Sequence, residues 1–269
     1  GGGQFCRIDE NLYLVDNAEV IMQIPITRPL EGKPFYRQPV DGYRLTFLMC
    51  DSLNKRLIVQ SAWSQYWSLP IDPNQSSALL TQNYFISPDW MAIDSRTQRV
   101  YFDVSTYVIN YWDLTSPASL ASTGTLSVKL PPYTSTSWYR HIHFDVGTQT
   151  LFVLQEDKVT RVNMTTNTYE QWDTQRYSGG HYALGACFDP VSEMLYHTGF
   201  GHLMQTSLYA NGAHSKNGGP LIGSVYLPYN EKDMTGAYMH CDVEQRMMYV
   251  MGEEGRRLYS MPFPSTGTQ

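Results

Sequence analysis

Three residues in this chain could do metal or acid–base chemistry from one repeated position. His143, Cys187 and His240 each stand two residues before an aspartate: Asp145, Asp189 and Asp242. Imidazole and thiolate are metal ligands, and a neutral imidazole can accept a proton near physiological pH. His141 lies two residues before His143, and Trp90 and Tyr238 hold that same phase in other copies, with His181 just ahead of a further one. Alternate residues of a strand share a side. The expectation is therefore a ligand-binding row of Trp90, His141, His143, His181, Tyr238 and His240 at the mouth of a central channel. A His-x-His pair without a third ligand at defined spacing does not specify a metal. The row is read as a pocket free of metal and cofactor, in which aromatic walls and a few polar groups take a small ligand.

The elements that must carry these residues recur along the chain. Asp51 is followed by Leu57-Ile58, Asp94 by Val100-Tyr101, Asp145 by Leu151-Phe152, Asp189 by Leu195-Tyr196 and Asp242 by Met248-Tyr249. The residue before each aspartate is Cys50, Ile93, Phe144, Phe188 or Cys241. A sixth, degenerate copy aligns Leu12-Tyr13 with the second strand and Cys6 with the aspartate. A period of about 40–50 residues marks a propeller or an array. Each copy reads as an apolar strand ending at Asp, a polar turn, and a strand opening on the paired apolar residues. Asp suits such a turn because its carboxylate can accept nearby backbone N–H groups. Third strands are expected at Glu19–Ile26, Val108–Leu114, Lys158–Met164, His202–Tyr209 and Arg256–Met261, and fourth strands at Thr168–Asp173 and Leu221–Leu227. Pro25, Pro29 and Pro34 are expected to send the first copy into a loop.

The cassette resembles the YWTD repeat of the LDL-receptor-like six-bladed β-propellers. Asp189, Tyr196 and Thr198 carry the resemblance best, with Leu208 and the Asn211-Gly212 turn, and Tyr101 with Asp103 match in part. The resemblance implies an all-β, six-bladed β-propeller of four-stranded blades, here one domain over residues 1–269. The last blade is incomplete, because no fourth-strand pattern follows Arg256–Met261. It implies no ligand, since sites are grafted on folds. The repeated Asp and Tyr are structural in such a family and are not carried over as site residues.

Other motifs are weaker. Ser178-Gly-Gly-His181 lacks the Gly-x-Ser-x-Gly frame of a nucleophile elbow. One Asp per blade does not converge on one calcium ion. Trp63, Tyr66 and Trp67 are read as blade core, with a carbohydrate-stacking patch as the alternative. Cys6, Cys50, Cys187 and Cys241 are read as four buried thiols packing as small apolar groups. The alternative is bridging of the pairs on adjacent copies, Cys6–Cys50 and Cys187–Cys241, since neighbouring inner strands approach the distance a disulfide needs.

Composition narrows the function. The chain has 269 residues, a net charge of −6 and 16% charged residues, below the roughly 25% average. An acidic balance without a basic stripe argues against nucleic acid, and no apolar run reaches the ~18 residues of a membrane helix. Asn74-Gln-Ser76 and Asn163-Met-Thr165 are glycosylation sequons. With an even cysteine count they point to a secreted glycoprotein. The reading favoured is a secreted or cell-surface binding protein for a protein, glycan or small ligand. A His-lined hydrolase- or lactonase-like enzyme and a structural subunit of an extracellular assembly are the alternatives.

Overall fold

The computed structural model describes residues 5–16, 19–28, 31–37, 45–61, 65–82, 91–105, 108–115, 122–129, 141–154, 158–173, 185–199, 202–207, 221–226, 238–243, 245–251 and 258–263. The chain divides into two units, Gly1–Leu126 and Ser127–Gln269.

In the first unit, sheet one is β1 (Phe5–Ile8), β2 (Asn11–Asp16), β3 (Val20–Pro25) and β4 (Lys33–Arg37). Sheet two is β5 (Leu45–Asp51), β6 (Arg56–Ser61), β7 (Gln65–Pro70) and β8 (Ala78–Gln82). Sheet three is β9 (Met91–Asp94), β10 (Arg99–Ser105), β11 (Val108–Asp113) and β12 (Ser122–Lys129), the last strand crossing the unit boundary. In the second unit, sheet four is β13 (His141–Asp145), β14 (Thr150–Leu154), β15 (Lys158–Asn163) and β16 (Thr168–Asp173). Sheet five is β17 (Gly185–Asp189), β18 (Met194–Gly199), β19 (His202–Ser207) and β20 (Leu221–Tyr226). Sheet six has three strands, β21 (Tyr238–Asp242), β22 (Met247–Met251) and β23 (Leu258–Pro262). Every sheet is an antiparallel meander in chain order, the pattern of a propeller blade. Among the described residues, five sheets have four strands and the sixth has three.

The cassette explains itself once both faces of a blade are packed. In the first unit, Cys6, Tyr13, Leu48, Leu57 and Val59 share one core layer between the first two blades. Phe47, Met49, Ile58, Met91, Val100 and Phe102 share the next, between the second and third. Each inner strand thus turns the residue before its Asp towards the preceding blade, and the residue two before it towards the following one. The paired apolar residues opening the second strand divide the same way, Leu57 back and Ile58 forward. This is why the pairs are apolar twice rather than alternating apolar and polar. Within the second unit, Cys187, Tyr196, Met248 and Val250 repeat the arrangement between blades five and six.

Three expectations are corrected. First, the four cysteines are not free. Cys6 bonds Cys50 and Cys187 bonds Cys241, with Cα–Cα distances of 5.6 and 5.8 Å. The two bridges are equivalent by repeat. Each joins the forward-facing position of one inner strand to the backward-facing position of the next, so the bonding side chains point at each other across a single layer. Second, Cys6 does not occupy the aspartate position. Cys6 pairs with Tyr13 and Ile8 with Asn11, so the first hairpin turn is two residues shorter than the others. That shift gives Cys6 the phase of Cys187, which pairs with Tyr196. Third, the proline-marked segment after β3 is not all loop. β4 forms the outer edge of its sheet, and the pairing skips from Tyr36 to Pro34 at a bulge. Proline is tolerated at an edge and at a bulge because no ladder hydrogen bond is needed from it there.

Candidate functional site

The chemistry-bearing row falls on the inner strands β5, β9, β13, β17 and β21, as the spacing predicts. Met49 and Ala92 are buried, and Cys187 is fully buried in its disulfide, so it offers no thiolate to a metal or substrate. His143 stands opposite Phe152 on β14, the rings nearly parallel at 6.3 Å. Phe152 in turn packs on Phe188 of β17 at 4.8 Å. His143 therefore faces β17. His240 is next to Cys241, whose sulfur reaches back to Cys187 on β17. Adjacent residues of a strand project to opposite faces, so His240 leaves β21 on the side away from β17. The two imidazoles thus leave their strands towards different layers. Burial pushes the His143 imidazole well below the usual histidine range, against a smaller upward pull from Asp145.

Of the other row members, Trp90 and His181 lie outside the described residues, as do Trp63, Leu208 and Asn211-Gly212. His141 and Tyr238 sit in β13 and β21, with their side chains outside the described set. Tyr66 is fully buried and meets Trp112 edge-on at 4.5 Å, so it belongs to the blade core. Trp67 pairs with Leu79, which is exposed on the outer strand β8.

The polar chemistry that the structure does organise is at the first turn of each blade. Asp51, Asp94, Asp145 and Asp189 are buried. Each carboxylate accepts hydrogen bonds from the turn that follows it. Asp94 takes the Arg96 N–H at 3.0 Å and the Thr97 hydroxyl at 2.6 Å. Asp145 takes the Thr148 N–H and hydroxyl. Asp189 takes the Val191 N–H at 3.0 Å and the Ser192 hydroxyl at 2.6 Å. Asp51 is held by the Asn54 amide and, at 2.8 Å, by the Arg56 guanidinium. The side-chain donor three residues after four of the aspartates was legible in the sequence as Asn54, Thr97, Thr148 and Ser192, and sequence reasoning had passed over it; at Asp242 the backbone N–H of Gln245 takes that place.

One residue further on, the backbone enters the left-handed region. The φ angles are 49° at Lys55, 55° at Gln98, 53° at Gln149, 54° at Glu193 and 52° at Arg246. Glycine would adopt this conformation with less strain, yet no copy uses it. The side chains explain three of these choices, because each reaches the turn of the blade before. Lys55 pairs with Asp9. Gln98 donates to Asn54 Oδ1 at 2.7 Å and accepts from Arg56 at 3.1 Å, while Asn54 also donates to the Ser95 carbonyl at 3.2 Å. Arg246 grips both oxygens of Asp189 at 3.1 and 2.9 Å, and its guanidinium lies over Phe263. At Asp189 burial pushes the carboxyl pKa up, but the bonds from Ser192, Arg246 and the Val191 N–H outweigh it, and the net shift is downward. Lys55, Gln98 and Arg246 thus act as inter-blade latches, Arg246 by holding a buried turn aspartate directly. No group of three or more His, Cys, Asp or Glu suited to a metal ion occurs among the described residues.

Both sequons are on turns between third and fourth strands. Asn74 is exposed and its amide donates to Asp72 at 2.9 Å. Asn163 accepts the Thr165 and Thr166 N–H groups on its side-chain oxygen at 2.9 and 3.0 Å.

No family model and no curated protein matches the chain. Solved structures do. A chain of a nidogen/laminin complex is 13% identical, covers 94% of this chain and 93% of itself, and superposes with a TM-score of 0.59. An auxiliary nutrient binding protein from Bacteroides thetaiotaomicron is 12% identical over 97% of this chain and 68% of its own, TM-score 0.60. The β-propeller domain of Myceliophteria thermophila Cps50 (Swd1) is 10% identical over 95% and 81%, TM-score 0.57. Blades, meander order and these likenesses agree on one statement: the chain has the β-propeller fold, and at such identities the likeness reaches no further than fold.

Proposed function

We propose that this chain is a single extracellular propeller domain that works as a protein-binding scaffold. The observation that carries this is the pair of equivalent disulfides, Cys6–Cys50 and Cys187–Cys241. Such bonds persist in oxidising compartments and are rare where thiols are kept reduced. The nidogen propeller, which is solved in complex with laminin, provides a precedent of the same fold in protein recognition. The first turns of the blades are the natural contact surface. Their polar groups are spent on latches, while Leu53 and Val191, each two residues after the buried Asp, stand 64% and 66% exposed. Exposed apolar side chains on a rigid turn are what a partner protein would cover. Asn74 and Asn163 are N-glycosylation sites of this secreted form.

The test is expression behind a secretory leader in cultured eukaryotic cells, followed by non-reducing peptide mapping and deglycosylation. Both disulfide-linked peptide pairs are expected, with a mass loss abolished by Asn74→Gln plus Asn163→Gln. The purified protein is then titrated by interferometry against a panel of extracellular-matrix proteins and against a glycan array. Saturable binding to a matrix protein, weakened tenfold or more by Leu53→Asp or Val191→Asp, is the expected result. Recovery of free thiols, or binding to glycans alone, would overturn the proposal.

A further inference from the structure

Within the two units, four layers between neighbouring blades are described, and one inner-strand position recurs at the centre of each. It is filled by Cys6, Met49, His143 and Cys187 in turn. Cys6 and Cys187 are locked in disulfides and Met49 is a buried thioether. None of these three gains charge on acidification. His143 does. It is clamped between its own blade and the next, against Phe152, which packs on Phe188. Its layer also lacks the sulfur bridge that joins blades five and six. As a residue His143 is half-buried, so solvent reaches part of it.

We propose that the seam between the β13–β16 and β17–β20 blades is an acid-sensitive joint, loosened when His143 takes a proton. A charged imidazole at this position must be hydrated or paired, and its aromatic packing partners Phe152 and Phe188 offer neither. On its own blade, Asp145 shares its side of β13; one of its oxygens, Oδ2, accepts the Thr148 N–H and hydroxyl, and its charge draws the imidazole pKa up by less than burial lowers it. Arg161 and Glu170 follow Phe152 in register on the same face, so the nearer of the two charges is a cation. From the facing blade, Phe188 and its register partner Leu195 present apolar surface. His197 stands opposite Ala186 on that face, and His141 lies one alternate position along β13; their side chains are outside the described residues. The lowered pKa of His143 agrees with the geometry. Its direction sets the window. The folded state prefers the neutral ring, so the seam is intact above the ordinary histidine pKa of about 6.5 and weakens as pH falls below it. A secreted protein passing through or into an acidic compartment would meet that window.

Hydrogen exchange with mass spectrometry, corrected for intrinsic rates, tests the joint in the intact protein between pH 7.5 and 5.0. Protection in β13, β14 and β17 is expected to fall at least fivefold relative to β21 and β22, where the disulfide and the Arg246–Asp189 latch hold. His143→Met, the residue that the equivalent Met49 position already accepts, is expected to abolish that difference. A uniform response across all strands, or an acid response retained in His143→Met, would overturn the proposal. Should that variant fail to fold, an NMR titration of the His143 ring in the unmodified protein decides the matter. A midpoint at or above the ordinary histidine value rules the joint out, and a midpoint well below it, with resonance changes confined to blades four and five, supports it.

Discussion

The two layers of the first unit solve one packing problem in different ways. Between the first and second blades, the central positions are Cys6 and Cys50, joined covalently, with the Lys55–Asp9 pair at the turn. Between the second and third blades, the same positions hold Met49 and Ile93, and the turn carries a four-residue hydrogen-bond network of Asn54, Arg56, Ser95 and Gln98. That second layer also holds an aromatic cluster, with Trp112 between Tyr66 and Phe102 at 4.5 Å from each. The repeat fixes where a side chain points, and its chemistry then decides the kind of joint. A covalent joint acts largely by restricting the unfolded chain, whereas an apolar and hydrogen-bonded joint acts through the folded state.

The largest expected effects test the apolar side of this contrast. Trp112→Ala in the first unit, and Tyr196→Ala against Phe263 in the second, should each destabilise by about 3–5 kcal/mol in urea unfolding, as buried aromatic truncations do. A loss below about 1 kcal/mol would mean that the layers tolerate cavities and that the disulfides do most of the holding. Next in size, replacing Cys187 and Cys241 together by serine should cost about 4 kcal/mol on the chain-entropy estimate, given their sequence separation of 54. Unchanged folding kinetics on reduction would place the bond outside the stabilising set.

Arg246→Ala is smaller, about 2 kcal/mol, because charge-assisted bonds to the buried Asp189 are lost while the guanidinium is one-third exposed. Its pH dependence has a definite sign. Asp189 is held below its ordinary pKa when folded, so its contribution is full above pH ~4 and fades as pH falls towards the folded value. The variant should show a shallower loss of stability with acid over that range. The smallest contrast concerns the left-handed residues. Gln98→Gly removes two inter-blade hydrogen bonds while relieving strain, for a net loss of about 1 kcal/mol. Gln149 bonds only locally, to the Val146 carbonyl, among the described residues. Gln149→Gly should therefore be neutral or stabilising by a few tenths of a kcal/mol. Equal outcomes for the two would show that the turn conformation alone matters and that the latch does not.

Much of this fold was legible in the residues. The Asp and the apolar pair six residues on mark a strand, a turn and a strand, and β13 to β16 appear nearly residue for residue where the pattern is cleanest. Alternation says that residues two apart share a side, but not what that side faces. His143, Cys187 and His240 share a repeat phase, and on β13 and β17 that phase points into an inter-blade layer. The first turn was misaligned because Leu12-Tyr13 fixed the second strand while the length of the turn before it was left free.

The sequence by itself determined the period and the strand-turn-strand unit, since these depend on local alternation and turn chemistry. Only the tertiary structure decided that four cysteines make two bridges and that Lys55, Gln98 and Arg246 reach back to the neighbouring blade. Those outcomes depend on the distance and facing of strands that are far apart in sequence, 44 and 54 residues for the two bridges, and no local pattern encodes either.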